Sequence, residues 1–160
     1  MNELAMAEMN QIETELIMLG TGNATVTKCY NTCFILQTKE TVLLVDGGGG
    51  NGILNQLEKV DVPIDSIHDM FVTHAHTDHI LGAVWMIRII AQRASNGHYF
   101  GTFRVYGHDK VLMVLEQICR MTLPVSVMKA INKHIEFYEI KNGDTLQLGD
   151  LSLQCFDIAS

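Results

Sequence analysis

The chain has 160 residues, enough for one domain with a proper core, and its 48% apolar content argues against a disordered polymer. A net charge of −7 without any basic run gives no broad electropositive footprint, which weakens, without removing, the case for a nucleic-acid substrate. No stretch reaches the ~18 uncharged apolar residues of a membrane span, and the acidic start with Glu3, Glu8, Glu13 and Glu15 does not resemble a signal peptide, so no membrane partner is expected.

Residues 1–14 read as a lead-in, loose or helical over Met1–Gln11, to a single domain that fills residues 1–160. Leu16–Leu19 is strand-like and is punctuated by Gly20-Thr21-Gly22-Asn23. Thr32–Gln37 and Thr41–Val45 predict two strands, with Lys39-Glu40 as the tight connection of a hairpin. Asp46 opens onto Gly47–Gly50, and Asn51 stands where it could cap a helix reaching Val60 before Pro63. Asp69–Thr73 predicts a short buried strand, and Leu81–Arg93 a strongly apolar helix. Phe103–Tyr106 predicts a strand, and Lys110–Met121 a helix that stops before Pro124. His134–Ile140, Thr145–Leu148 and Leu151–Phe156 predict three closing strands, with turns at Asn142-Gly143-Asp144 and Gly149-Asp150. Helices that follow strands predict a layered α/β fold with a mixed β-sheet. Cys29, Cys33, Cys119 and Cys155 lack zinc-finger spacing and read as reduced thiols of a cytoplasmic protein.

The chemistry concentrates in Thr73-His74-Ala75-His76-Thr77-Asp78-His79-Ile80, where three of the seven histidines fall within six residues. Imidazole nitrogens with a carboxylate oxygen form the usual donor set for zinc and similar divalent ions. In extended backbone His74 and His76 project to the same side and suit one metal. Asp78 and His79 follow where the chain must turn into the next helix, and can serve a second. Two ions about 3.5–4 Å apart can stabilise both attacking and leaving oxygens. The plainer reading is a polar loop in which Asp78 merely caps the helix.

Other motifs carry less. Gly20-Thr21-Gly22-Asn23-Ala24-Thr25 begins like a dinucleotide-binding turn, but its sixth position is threonine, and a strand stands where the crossover helix belongs. No Walker lysine follows the glycines. Gly47–Gly50 could cradle an anion, or let the chain turn tightly beside the histidine loop. Three residues rather than two lie between Cys29 and Cys33, which favours packing over redox chemistry.

The H-x-H-x-D-H motif after a buried strand resembles the metallo-β-lactamase superfamily. Leu19-Gly20-Thr21-Gly22, Asn31-Thr32, Leu44-Val45-Asp46-Gly47-Gly48, Val105-Tyr106-Gly107 and Asn142-Gly143-Asp144-Thr145 fall in the order of its ribonuclease Z-like branch. The resemblance runs from about Glu15 to Phe156. It implies a metallo-β-lactamase-like αβ half-sandwich and a zinc-dependent hydrolase, with manganese or iron as other candidate metals. Hydroxide would attack a phosphodiester or another ester, in a small-molecule, nucleotide or RNA substrate. His74 and His76 would bind the first metal, and Asp78 and His79 the second. Asp78 would also be the catalytic general base, and Asp46 would hold the ligand loop by hydrogen bonds; its plain alternative is a turn or N-cap aspartate.

The resemblance also implies a second αβ half that these residues do not contain. The family's third histidine falls near Ala159, and its bridging aspartate and last histidine would come later still. His108 and His134 could substitute, but read more simply as surface or loop histidines. A half-fold exposes the sheet face or edge that its partner normally covers, with Leu112, Leu115, Ile118 and their neighbours in need of such cover, so a homodimer or higher oligomer is expected. The alternative to an enzyme is therefore a catalytically incompetent, self-associating half-domain with weak or no metal binding.

Overall fold

Alternating and continuous apolar runs build a mixed sheet in this protein, seen in a computed structural model that describes residues 13–157. The lead-in over Met1–Gln11 and the position of Ala159 lie outside the described residues. Strands β1 (Glu15–Gly20), β2 (Cys33–Gln37), β3 (Val42–Val45), β4 (Asp69–Phe71), β5 (Phe103–Gly107) and β6 (Ile135–Glu139) lie side by side in chain order. The β1–β2 and β2–β3 pairs are antiparallel, as the Lys39-Glu40 turn predicts; β3–β4, β4–β5 and β5–β6 are parallel.

Parallel pairs need crossovers, and these carry α1 (Gly52–Lys59), α2 (Thr77–Ser95), α3 (Asp109–Thr122) and α4 (Val125–His134). The helices share one apolar cluster with Leu19, Ile35, Leu44, Met70 and Val105, so they cover one sheet face. The opposite face presents Leu43, Val45 and Tyr106 to Leu148 and Leu151 of a hairpin, β7 (Thr145–Leu148) and β8 (Leu151–Gln154). Thr41 Oγ1 donates to the Leu148 carbonyl at 2.9 Å, and Thr38 Oγ1 donates to Asp150, which pins the hairpin to the β2–β3 turn.

Register aligns two rows on that hairpin-bearing face. One runs Met18, Phe34, Val45, Phe71, Tyr106, Tyr138; the other runs Leu16, Leu36, Leu43, Asp69, Arg104, Glu136. The buried Asp69 carboxylate accepts two Arg104 bonds at 2.7 Å and one from the Tyr106 hydroxyl at 3.1 Å, so its charge is not buried unpaired.

Two sequence expectations need correction, and one helix is additional to those expected. Leu112 and Leu115 are buried and Ile118 is half-buried, because α3 lies in the helix layer against β5, β6 and α2. The open apolar surface is on the other face, where Leu16, Met18 and Tyr138 are 58%, 43% and 41% exposed. The segment after Pro124 is helix α4, with Val127, Ala130 and Ile131 turned inward. Finally, α2 starts at Thr77 rather than Leu81, since the His76 carbonyl already accepts the His79 and Ile80 amides. Asn51 precedes α1 as expected, but its side chain makes no capping bond. Among the described residues no helix is long and apolar enough to cross a membrane.

Candidate metal centre

The histidine cluster sits at the carboxyl ends of β3 and β4, where an open α/β sheet places its ligand crevice. Two chain segments meet there. Asp46 follows β3 in the left-handed region, φ +58°, and turns the chain into Gly47–Gly50. That conformation costs about 1–2 kcal/mol for a residue with a side chain and is tolerated best by Asp, Asn or Gly. The glycines then press against the first turn of α2. The Gly47 amide donates to the His79 carbonyl and the Gly82 amide to the Gly48 carbonyl, both at 2.9 Å. A Cβ on Gly82 would stand 1.7 Å from the Gly47 oxygen, so only glycine fits.

Tyr30 closes the turn from outside. Its hydroxyl lies 2.9 Å from the Gly47 carbonyl and 2.7 Å from that of Gly50, and accepts the Gly50 amide at 3.2 Å. Burial pushes the Tyr30 phenol up to about 12, which keeps its proton in place as a donor. The turn is thus a packed strut rather than an open anion cradle. Asn31 supports it: its amide donates to the Asn23 carbonyl at 2.8 Å, and its oxygen lies against Gly49, beside Asp78.

Asp46 is almost fully buried, and its carboxylate collects three bonds. Oδ1 accepts the Thr73 amide at 2.8 Å; Oδ2 accepts the Thr73 hydroxyl and His79 Nδ1, each at 2.8 Å. An ionised carboxylate only accepts, so His79 carries its proton on Nδ1 and leaves the Nε2 lone pair outward. Asp78 Oδ2 stands 3.4 Å from that Nε2. The ring centroids of His74 and His79 are 4.0 Å apart, and those of His74 and His76 4.7 Å. Burial first, then the His79 imidazole, holds the His74 pKa below its ordinary value and favours the neutral ring that a metal needs.

The structure brings Asp46, His74 and His79 together, and sets His76 beside His74 and Asp78 beside His79 without drawing either into that group. One ligand atom each from Asp46, His74 and His79 can be chosen within 4.8 Å of one another. Asp46 is nevertheless committed to the loop through three bonds, whereas Asp78 faces the outward His79 nitrogen and makes no other ion pair among the described residues. The donors His74, His76, Asp78 and His79 have the chemistry of a zinc-type site. His108 is exposed at the start of α3 and lies 2.6 Å from Asp109; His134 ends α4, immediately before β6 and at the far end of the parallel strands. Neither joins the cluster. An open groove of about 570 Å³ between β1 and α1, lined by Lys28, Cys29, Tyr30 and Lys59 among others, contains none of the candidate ligands. The roles of Thr73, Tyr30 and Asn31 were not apparent in the sequence; for Thr73 the one available signal was its place immediately before His74.

Comparison with known proteins fits this geometry. The family model for "Anti-Pycsar protein Apyc1" matches residues 14–159. An Anti-Pycsar protein Apyc1 of Bacillus phage BSP38 is 37% identical over 70 residues, 43% of this chain and 27% of the phage protein. A ribonuclease Z of Crocosphaera subtropica is 28% identical over 144 residues, 88% of this chain and 43% of that enzyme. The crystal structure of the metallo-β-lactamase fold protein YhfI from Bacillus subtilis superposes with a TM-score of 0.63 at 20% identity, covering 85% of this chain and 50% of that one. The chain therefore spans half or less of the length of each of these relatives. The fold is that of the metallo-β-lactamases, a family of metal-dependent hydrolases related to ribonuclease Z, and within it this chain belongs to the Anti-Pycsar protein Apyc1 family.

Proposed function

We propose that the chain carries the metal-binding residues of a phosphodiester hydrolase whose substrate is a small nucleotide, with a cyclic nucleotide as the leading candidate. The observation that carries this reading is the convergence of the His74–His79 pair with the Asp78 carboxylate, above a buried Asp46 that fixes the His79 ring. His74 and His76 would hold one ion and Asp78 and His79 the other, zinc first, with manganese or iron as alternatives. Such ions, when bound, supply Lewis acidity to a phosphoryl oxygen and to the attacking water. The chain's own groups do the rest. Asp78, at the edge of the pair, would take a proton from that water. Asp46 keeps the His79 proton on Nδ1, away from the reacting side.

Two considerations support phosphodiester chemistry. One matched relative is by name a ribonuclease, and the matched family is by name directed against Pycsar. A net charge of −7 favours a small substrate with one phosphodiester over a long polyanion. The test is hydrolysis, with added zinc, of a chromogenic phosphodiester, of cyclic mononucleotides and of a short RNA, by the wild type and Asp78→Asn. Turnover of the cyclic substrates that falls at least ~100-fold in Asp78→Asn supports the reading. Turnover of RNA alone would refute the substrate, and equal rates in the variant would refute the role of Asp78.

A second reading rests on Leu16, Met18 and Tyr138, which lie open on the hairpin-bearing sheet face. A chain with that face uncovered is expected to self-associate as a homodimer or larger oligomer, with weak metal binding and no turnover. Light scattering separates the two: an inactive oligomer favours this reading, and a monodisperse monomer removes it.

A further inference from the structure

We infer that the Thr73 hydroxyl is a positioning group that passes the orienting effect of Asp46 on to His74. This inference rests on the metal site proposed above. It follows from counting protons. Thr73 Oγ1 lies 2.8 Å from Asp46 Oδ2 and 2.9 Å from His74 Nδ1. A hydroxyl has one hydrogen, and a carboxylate oxygen can only accept. The Thr73 hydrogen therefore points to Asp46, and the remaining lone pair of Oγ1 faces His74. Only a protonated Nδ1 makes that second contact a hydrogen bond. His74 is thus held as the Nδ1–H tautomer, with its Nε2 lone pair free.

The same carboxylate oxygen receives His79 Nδ1 at 2.8 Å. One buried acceptor therefore sets both rings, His79 directly and His74 through a relay of one hydroxyl. Both imidazoles then present the nitrogen of the same name outward, although the residues lie on different elements, a loop and a helix. The Thr73 amide bond to Oδ1, at 2.8 Å, ties the Thr73 backbone to the same carboxylate that its hydroxyl meets. Metal-binding histidines commonly donate their second nitrogen to an orienting acceptor. Here a neutral side-chain hydroxyl fills that role for one ligand and borrows its polarity from the acid behind it.

The test uses metal-free protein with 15N-labelled histidine, read by long-range 1H–15N spectra above pH 7.5, where neutral rings report their tautomer. The wild type is expected to show both His74 and His79 as Nδ1–H. Thr73→Val keeps the branched shape and removes the hydroxyl; His74 is expected to move to the Nε2–H tautomer that free imidazole favours, while His79 stays unchanged. Thr73→Ser is expected to restore His74. Zinc titration of the same three proteins should show affinity ~10–100-fold weaker in Thr73→Val and near wild type in Thr73→Ser. An Nε2–H His74 in the wild type overturns the inference, as does an Nδ1–H His74 that survives Thr73→Val. Failure of the wild type to bind zinc would instead overturn the proposed function, because the tautomer measurement is made without metal.

Discussion

Replacing Asp46 puts a number on how much of the loop's stability one buried acid supplies. The carboxylate accepts three hydrogen bonds, from the Thr73 amide, the Thr73 hydroxyl and His79 Nδ1. Hydrogen bonds to charged groups contribute about 1.5–3 kcal/mol each. Thr73 is exposed and His79 half-buried, so water recovers part of the loss. The β-carbon at φ +58° is present in the wild type and in Asp46→Ala alike, and costs about 1 kcal/mol relative to glycine. Asp46→Ala is therefore expected to lose about 3–5 kcal/mol, with Asp46→Gly about 1 kcal/mol better because it relieves the backbone. Asp46→Asn should lose about 1–3 kcal/mol: its one oxygen still accepts the Thr73 amide, and asparagine tolerates the left-handed region. Urea unfolding followed by circular dichroism, in the presence of a chelator, measures the series without metal linkage. The reasoning fails if Asp46→Ala costs under about 1 kcal/mol, or if glycine is no better than alanine at this position.

Further outcomes follow from the same structure. Gly82→Ala should cost at least about 2–3 kcal/mol in urea unfolding, since its β-carbon would overlap the Gly47 carbonyl and push α2 off the loop; a wild-type midpoint contradicts the close approach. Thiol reagents should label exposed Cys29 within minutes, while Cys33 and Cys119, buried and with thiol pKa values pushed up to about 12, react only after unfolding; four equally fast thiols would refute the packing. The Arg93 side chain holds the Asp65 carboxyl below its usual value, so its contribution is present above the ordinary carboxylate pKa and fades as pH falls through about 4 and below. Asp65→Asn should remove at most about 1 kcal/mol at pH 7, because the pair is over a third exposed, and nothing near pH 3; a pH-independent loss contradicts that assignment.

The individual strands and the histidine loop were legible because both are written locally. Apolar runs between turn residues mark β1 to β5, and His74, His76, Asp78 and His79 lie within six positions. Helix α4 escaped because Pro124 reads as a stop for the preceding helix, yet it also starts the next one, a position where its missing amide costs nothing. The valines after it lower helix propensity, and only the inward spacing of Val127, Ala130 and Ile131 reveals the helix. Asp46 was legible as an orienting acid, but its acceptance of the Thr73 hydroxyl and of His79 Nδ1 joins residues 27 and 33 positions apart, which no local pattern encodes. Leu112, Leu115 and Ile118 were misread as open for a related reason: periodicity shows that α3 has an apolar side, but not that α2, β5 and β6 already cover it.

The central claim is that His74, His76, Asp78 and His79 form a metal centre, and zinc stoichiometry tests it most directly. Chelator-treated protein dialysed against micromolar zinc, then analysed by elemental mass spectrometry, should retain at least one ion per chain, lose most of it in His79→Ala, and keep it in His108→Ala. A wild type that retains no zinc, or a His79→Ala variant that retains as much as the wild type, would contradict the account.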